Sequence, residues 1–474
     1  MRNTRPIFSY TAGFFLLFVA AISLLESCAN IIPPLGGPKD TLPPRAININ
    51  PKDSTLNFKG QRIVLNFDEY VQLDQVQQNL LVSPTPKINP IVESRLRTVT
   101  VRIKDTLEPN TTYVINFGNA IRDVNENNPL RNFRYVFSTG NFIDSLELAG
   151  KVLLAETGKT DSTITVMLHR SMDDSAVVKE KPRYYTRLDS AGNFRFQNLA
   201  PGTYAVYAIK DEGGSNRYMS PSQLFAFADR AVVITGPTEP LTLYAYAEPD
   251  PPKTTKPTTA PAGRKKGEED QDRRLRYTTS LEGGQHDILK QITFSFPEAL
   301  KTFDSTKLVL TDDKFQPVTG YKLEADTTGR IYTLSYNWPL DQPYNLLLEK
   351  GLAEDSSGKG ILKSDTISFR TMKDSDYGSI KFRFANIDTS RKPVLQLVQN
   401  DKILFSYRIR GKELIIPRAR PAEFELRMLY DENENGRWDF GNFFGPKRQP
   451  EKVQSIGRKI NIKGNWDNEV DISL

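Results

Sequence analysis

The residues best placed to do chemistry lie in one short run, Asp431-Glu-Asn433-Glu-Asn435-Gly436-Arg437-Trp-Asp439. Side-chain oxygens recur at Asp431, Asn433 and Asn435, Gly436 falls where a sharp turn is needed, and Asp439 closes the run. Ca²⁺ needs several oxygens wrapped around it, and Arg437 would offer its backbone carbonyl, so a structural Ca²⁺ that orders the loop is one expectation. Strands are expected on both sides, and Asn442 stands where a helix-flanked calcium loop would carry its bidentate glutamate. The competing expectation is a solvated hairpin turn in which Asn and Gly supply left-handed backbone. The corresponding loop after Asp211 reads Glu-Gly-Gly-Ser-Asn-Arg-Tyr and loses most of the oxygens.

Catalytic constellations are hard to assemble from this sequence. The two histidines, His169 in a strand-like run and His286 near a linker, leave a triad or a zinc site little to work with. His169 reads as a half-buried strand residue. No glycine-rich phosphate loop follows a strand, and no carboxylate pair stands out among 57 acidic residues. The expectation is no catalytic residue, no enzyme, and no cofactor beyond the calcium. A run of large aromatics, Trp438, Phe440, Phe443 and Phe444, is the candidate contact patch for a partner; the alternative is a loop folded back onto its own sandwich.

One thiol is present, at Cys28. It has no partner for an intramolecular disulfide, and it follows Arg2, Arg5 and an apolar run from Ala12 to Leu25, the layout of an export signal. Leu25-Glu26-Ser27-Cys28 looks like a lipobox, so residues 1–27 are expected to be a lipoprotein signal peptide and Cys28 the lipidated residue. Residues 28–44 form a Pro/Gly-rich tether, and residues 248–276 a second Pro-rich stretch expected to be a disordered linker. That linker region concentrates the charge: eight Lys or Arg against four Asp or Glu between Lys253 and Arg276, in a chain of net charge +6. No folded element interleaves basic residues with aromatics, so no nucleic-acid partner is expected.

The remainder reads as strands, with apolar and polar residues alternating over short spans, as at Val99, Val101 and Ile103. A short helix is expected near Asp74 to Leu81. The two halves repeat one another. Tyr113 opens a strand, Asp123 a turn, and Phe137 sits in the next strand; Tyr344, Asp355 and Phe369 repeat the order, with 14 positions from Asp to Phe in both. A second module follows each, with Pro201, Tyr204 and Asp211 matched by Pro421, Phe424 and Asp431; Pro201-Gly202 is expected to turn a hairpin. The fold class is therefore all-β, tandem β-sandwich modules in an A-B, linker, A-B order.

The A modules, residues 45–140 and 277–372, resemble the bacterial Ig-like domain first seen in S-layer proteins, through the strand ending Phe67-Asp-Glu69, the Tyr-initiated strand and the final Phe137-Ser-Thr139. The B modules, residues 141–247 and 373–474, resemble prealbumin-like, carboxypeptidase-regulatory-type sandwiches through Gly192-Asn-Phe194-Arg-Phe196 and Pro201-Gly202-Thr-Tyr204. The start at Cys28 is similar to that of Ig-like-domain lipoproteins of the Bacteroidetes. The resemblance implies an outer-membrane lipoprotein held to the membrane by its lipid, and the absence of acids from Ala29 to Lys39 favours the periplasmic face. The expected role is a non-catalytic scaffold or binding protein for a protein or glycan partner. An accessory subunit of an outer-membrane transport or assembly complex and an unrecognised glycan hydrolase are the alternatives.

Overall fold

The computed structural model of the chain describes residues 39–248, 274–281 and 283–474. The signal segment, Cys28, most of the tether and residues 249–273 of the linker lie outside the described residues. The chain forms two compact units: residues up to Val82 together with Pro86–Ile143, and Ser83–Thr85 together with Asp144–Leu474.

In the first unit an antiparallel sheet runs Ala46–Asn50, Arg62–Phe67, Thr98–Arg102, Ile91–Arg95 in spatial order. A second sheet pairs Thr112–Asn116 with Arg134–Ser138. Alternation along each strand sends Ile63, Leu65, Val99, Val101, Tyr113 and Phe137 into one core, as period-two patterning requires. The expected short helix forms at Val76–Asn79.

The second unit holds three further sandwiches in tandem, each with its own core. The one centred on Leu310 and Leu346 repeats the first unit's wiring. Tyr344 lies opposite Phe369 in the ladder, as Tyr113 lies opposite Phe137, and both ring pairs are stacked, at 5.7 and 5.3 Å. The turns between them are capped alike: the Asp123 carboxylate accepts from the backbone N–H of Glu126, Asn127 and Asn128, and that of Asp355 from Ser357 and Lys359. These are Asx turns, in which the side chain replaces a backbone partner.

The second and fourth sandwiches share an unusual pairing. Leu146–Leu154 runs parallel to the closing strand Leu241–Ala245, and Gly378–Ala385 runs parallel to Asp467–Ser473. Each of these opening strands also pairs antiparallel with the strand before the Pro turn, and the register slips near its start in both, between Leu146 and Leu148 and between Gly378 and Ile380.

The Pro201-Gly202 hairpin does not form. Asn193–Leu199 pairs with Leu146–Leu154, whereas Gly202–Lys210 pairs with Ile164–His169 in the opposite sheet. The two-residue connection is an arch between sheets. Tyr204, buried beneath it, donates its hydroxyl to the Ala200 carbonyl at 2.8 Å, the bond by which a tyrosine corner holds such a crossing. The fourth sandwich makes the same arch with Phe424, which packs there without that hydroxyl.

Candidate functional site

Asp431 ends the strand Ala422–Tyr430 and is fully buried. Its carboxylate accepts from the backbone N–H of Asn435 at 3.1 Å and of Gly436 at 2.7 Å. The chain reaches this geometry through left-handed backbone at Glu434 (φ 63°) and Gly436 (φ 78°), and the Glu434 carboxylate is held by Arg408 at 2.9 Å and Lys392 at 3.2 Å. Asn433 Oδ1 accepts from Asn435 N–H at 3.1 Å and Asn435 Oδ1 from Arg437 N–H at 2.7 Å, while both carboxamide nitrogens donate to Asp439 Oδ2, at 2.5 and 2.7 Å.

A residue that spacing did not flag completes the loop. Glu451, buried just before the strand Lys452–Ile462, accepts from Glu432 N–H at 2.8 Å and Asp439 N–H at 3.1 Å. Its backbone carbonyl accepts from Trp438 Nε1 at 2.8 Å. Burial pushes the Glu451 carboxyl up, the two amides pull it down, and nearby Asp431 and Asp439 push it up further. The side chains of Asp431, Asn433, Asn435 and Asp439, expected to face Ca²⁺, each accept from a donor of the loop itself. Among the described residues no group of three or more His, Cys, Asp or Glu is arranged to hold a metal ion. Hydrogen bonds among the loop's own groups order it.

The aromatic run does not form an exposed patch, and the sandwich it packs on is chiefly another one. Phe443 is 2% exposed and seats against Phe225, Phe227 and Tyr207 of the second sandwich, with ring centroids 5.0, 5.1 and 5.5 Å away. Phe440 is half-buried at the same cluster. Trp438, also half-buried, bridges to Val394, Leu429 and Val453 of its own sandwich. Phe444 alone of the four is open, at 47% exposure, with one face toward Tyr218 at 5.8 Å.

Polar contacts fasten this docking. Lys447 pairs with Asp174 at 2.6 Å, Gln449 donates to the Phe227 carbonyl at 3.0 Å, and Val453 N–H donates to the Ala155 carbonyl at 2.9 Å. Lys159 reaches Asp401 at 2.9 Å and Glu425 at 3.4 Å, and the buried Arg427 reaches Asp401 at 3.0 Å. Two glycines permit the close approach: a Cβ on Gly158 would lie 2.6 Å from backbone at Val453 and Ser455, and one on Gly441 2.7 Å from the Tyr246 ring.

The receiving surface carried a signal in sequence. Phe225-Ala226-Phe227 is buried at every position, and so are Val206 to Ile209, without the alternation of a sheet that faces water on one side. For the same reason His169 is fully buried instead of half-buried. Its ring lies 5.6 Å from Tyr207, and burial pulls its pKa down to about 4.

Fold and site together define a tandem β-sandwich protein whose second and fourth sandwiches are locked by a loop. Residues 40–139 match the model of a known family, the bacterial Ig-like domain. No curated protein matches the chain. Among solved structures it is similar to the Bacillus anthracis TIE protein (12% identity, 93% of this chain and 75% of that one, TM-score 0.17). It is also similar to the major pilin subunit of Bacillus cereus (10% identity, 69% and 99%, TM-score 0.17) and to the N-terminal part of a bacterial S-layer protein (14% identity, 44% and 44%, TM-score 0.16). At TM-scores this low the likenesses carry no argument about function.

Proposed function

We propose that the protein is a non-catalytic lipoprotein of the cell envelope, anchored in the outer membrane through Cys28, that serves as a scaffold or binding protein for a protein or glycan partner. The observation that carries this reading is the docking of Phe443 into the second sandwich. A loop with many polar groups is occupied in fastening one module to another, which is the work of a rigid arm and not of a reaction centre. A family match to an Ig-like domain supports it, and a fold of this kind acquires function through what its surface holds. The tether at residues 28–44 would set the arm off the membrane.

Metabolic labelling with a fatty acid and fractionation of membranes test the anchor. The expected result is label and membrane association in the native chain and loss of both in Cys28→Ala. Membrane association that survives Cys28→Ala would overturn the anchor. Protease treatment of whole cells then tests the periplasmic face, on which the chain is expected to be protected until the outer membrane is opened.

A further inference from the structure

The first sandwich takes the chain in at one end and lets it out at the other. At the entry end the Asn128 side chain donates to the Asp40 and Leu42 carbonyls, at 3.0 and 3.2 Å, and Arg45 N–H donates to the Asp68 carboxylate at 2.8 Å. Strand Ala46–Asn50 then carries the chain away, to Ser54, Asn57 and Phe58, whose N–H groups donate to the carbonyls of Val136, Gly140 and Ser138. The chain leaves the sandwich beside these residues, at the far end of its sheets. Cys28 stands twelve residues before Asp40, and a chain of that length reaches at most about 40 Å. Whatever holds Cys28 therefore lies within that reach of the entry end.

The entry end carries large apolar side chains in the open. Leu42, Tyr70, Leu96 and Val124 are 70, 49, 67 and 48% exposed. Three of them are joined through the backbone: Val71 N–H donates to the Leu96 carbonyl at 2.9 Å, and Val124 N–H to the Tyr70 carbonyl at 3.1 Å. Leu96 sits in left-handed backbone (φ 57°) at the tip of the hairpin joining Ile91–Arg95 to Thr98–Arg102, a conformation unfavourable for leucine, and nothing is gained there by burying it. The Arg97 guanidinium lies 5.1 Å over the Tyr70 ring. Scattered exposed hydrophobes need no explanation, but several gathered at one end mark a contact surface. Charge does not set this end apart. Arg45 pairs with Asp68 and Arg122 with Asp74, the Asp123 carboxylate is taken up by its turn, and Lys39, Arg95 and Arg97 balance Asp40, Glu69 and Glu126. The surface that suits such an end is uncharged overall, with an apolar layer within side-chain reach. The headgroup region of a zwitterionic bilayer is of that kind, and a tyrosine under an arginine is at home there, apolar body inward and polar tip outward.

We infer that the entry end of the first sandwich rests on the lipid surface to which Cys28 is tied, with Leu42, Tyr70, Leu96 and Val124 entering the headgroup region of the bilayer. The inference rests on the proposed lipid at Cys28 and adds a second contact to it. Within the stand-off that the tether permits, this contact decides which end of the sandwich meets the membrane.

Tryptophan quenching in vesicles tests it. The full mature chain from Cys28 onward is coupled through that thiol to a maleimide lipid in phosphatidylcholine vesicles, so that the anchor is present whether or not cells lipidate the residue. In Tyr70→Trp, the emission added to that of the three native tryptophans is expected to fall at least about twofold when the acyl chains are brominated, since bromine quenches on contact. In Lys59→Trp, an exposed position at the exit end, the added emission should not change. Adding Leu96→Asp to Tyr70→Trp, a change that suits left-handed backbone and puts a charge at the bilayer, should restore the emission. Replacing part of the phosphatidylcholine by anionic phosphatidylglycerol should leave the quenching as it is. Equal emission with and without bromine, equal quenching at both ends, quenching that persists in Leu96→Asp, or quenching that needs the anionic lipid would each overturn the inference. Fatty-acid labelling of the native chain and of Cys28→Ala decides the anchor itself, whatever these vesicles show.

Discussion

The loops after Asp211 and after Asp431 begin alike and end differently. In both, an aspartate at a strand end accepts the backbone N–H five residues on, Asn216 in one and Gly436 in the other. In both, the residue seven positions on is a large aromatic, Tyr218 and Trp438. From there the first loop returns to its sheet as Phe225–Phe227 and leaves an aromatic floor. The second runs on to Glu451 and carries Phe443 into that floor. Repeated modules start with equal surfaces, and extending one loop while leaving its counterpart short converts the pair into plug and socket.

Removing the plug should have the largest effect. Phe443→Ala is expected to destabilise the second unit by about 3–5 kcal/mol in denaturant unfolding, as for a buried aromatic cut to Ala. Phe444→Ala, in the adjacent exposed position, should cost less than about 1 kcal/mol. Equal losses would mean that the two residues are not buried differently.

Acid should loosen the socket from beneath. His169 has a folded pKa near 4 against an unfolded value of 6.5, because burial disfavours its charged form. Its neutral form is therefore favoured by folding: the contribution is complete above pH 6.5 and is lost as pH falls toward 4, about 3 kcal/mol at the limit. His286 behaves alike over the same window. His169→Phe should remove about half of the acid-induced fall, measured as unfolding free energy at steps between pH 7 and pH 4.

The shared caps should differ in weight. Asp431→Ala removes a fully buried cap, strands the amides of Asn435 and Gly436, and should cost about 1–3 kcal/mol. Asp211→Ala, at an aspartate that is itself only half-buried, should cost less by the same measurement. The smallest effect belongs to Lys159→Ala. Its pairs with Asp401 and Glu425 are partly exposed, so a loss under about 1 kcal/mol that shrinks with added salt is expected.

Much of the fold could be read from the residues. Alternation marked the strands, and the matched spacing from Asp123 to Phe137 and from Asp355 to Phe369 reflects a shared Asx turn and a shared Tyr-Phe cross-strand pair. The arch at Pro201-Gly202 was not legible, because a two-residue connection between alternating strands looks the same whether the strands pair or face each other across a core. The pairing of the two strands with different sheets, and Tyr204 beneath the Ala200 carbonyl, distinguish them. In the candidate site the turn at Gly436 was legible. Its use was not, since Glu451 satisfies amides 19 and 12 residues away and the Phe443 socket lies more than 200 residues earlier. Such closures are decided by tertiary packing, which local spacing does not encode.

The direct joining of the second and fourth sandwiches can be tested by cutting the chain between them. A specific protease site inserted between Ala262 and Gly263, in the stretch joining the halves, allows cleavage of the folded protein followed by size-exclusion chromatography. The two fragments are expected to co-elute, and to separate when the same cut is made in Phe443→Ala. Fragments that separate in the unmutated chain would contradict the docking.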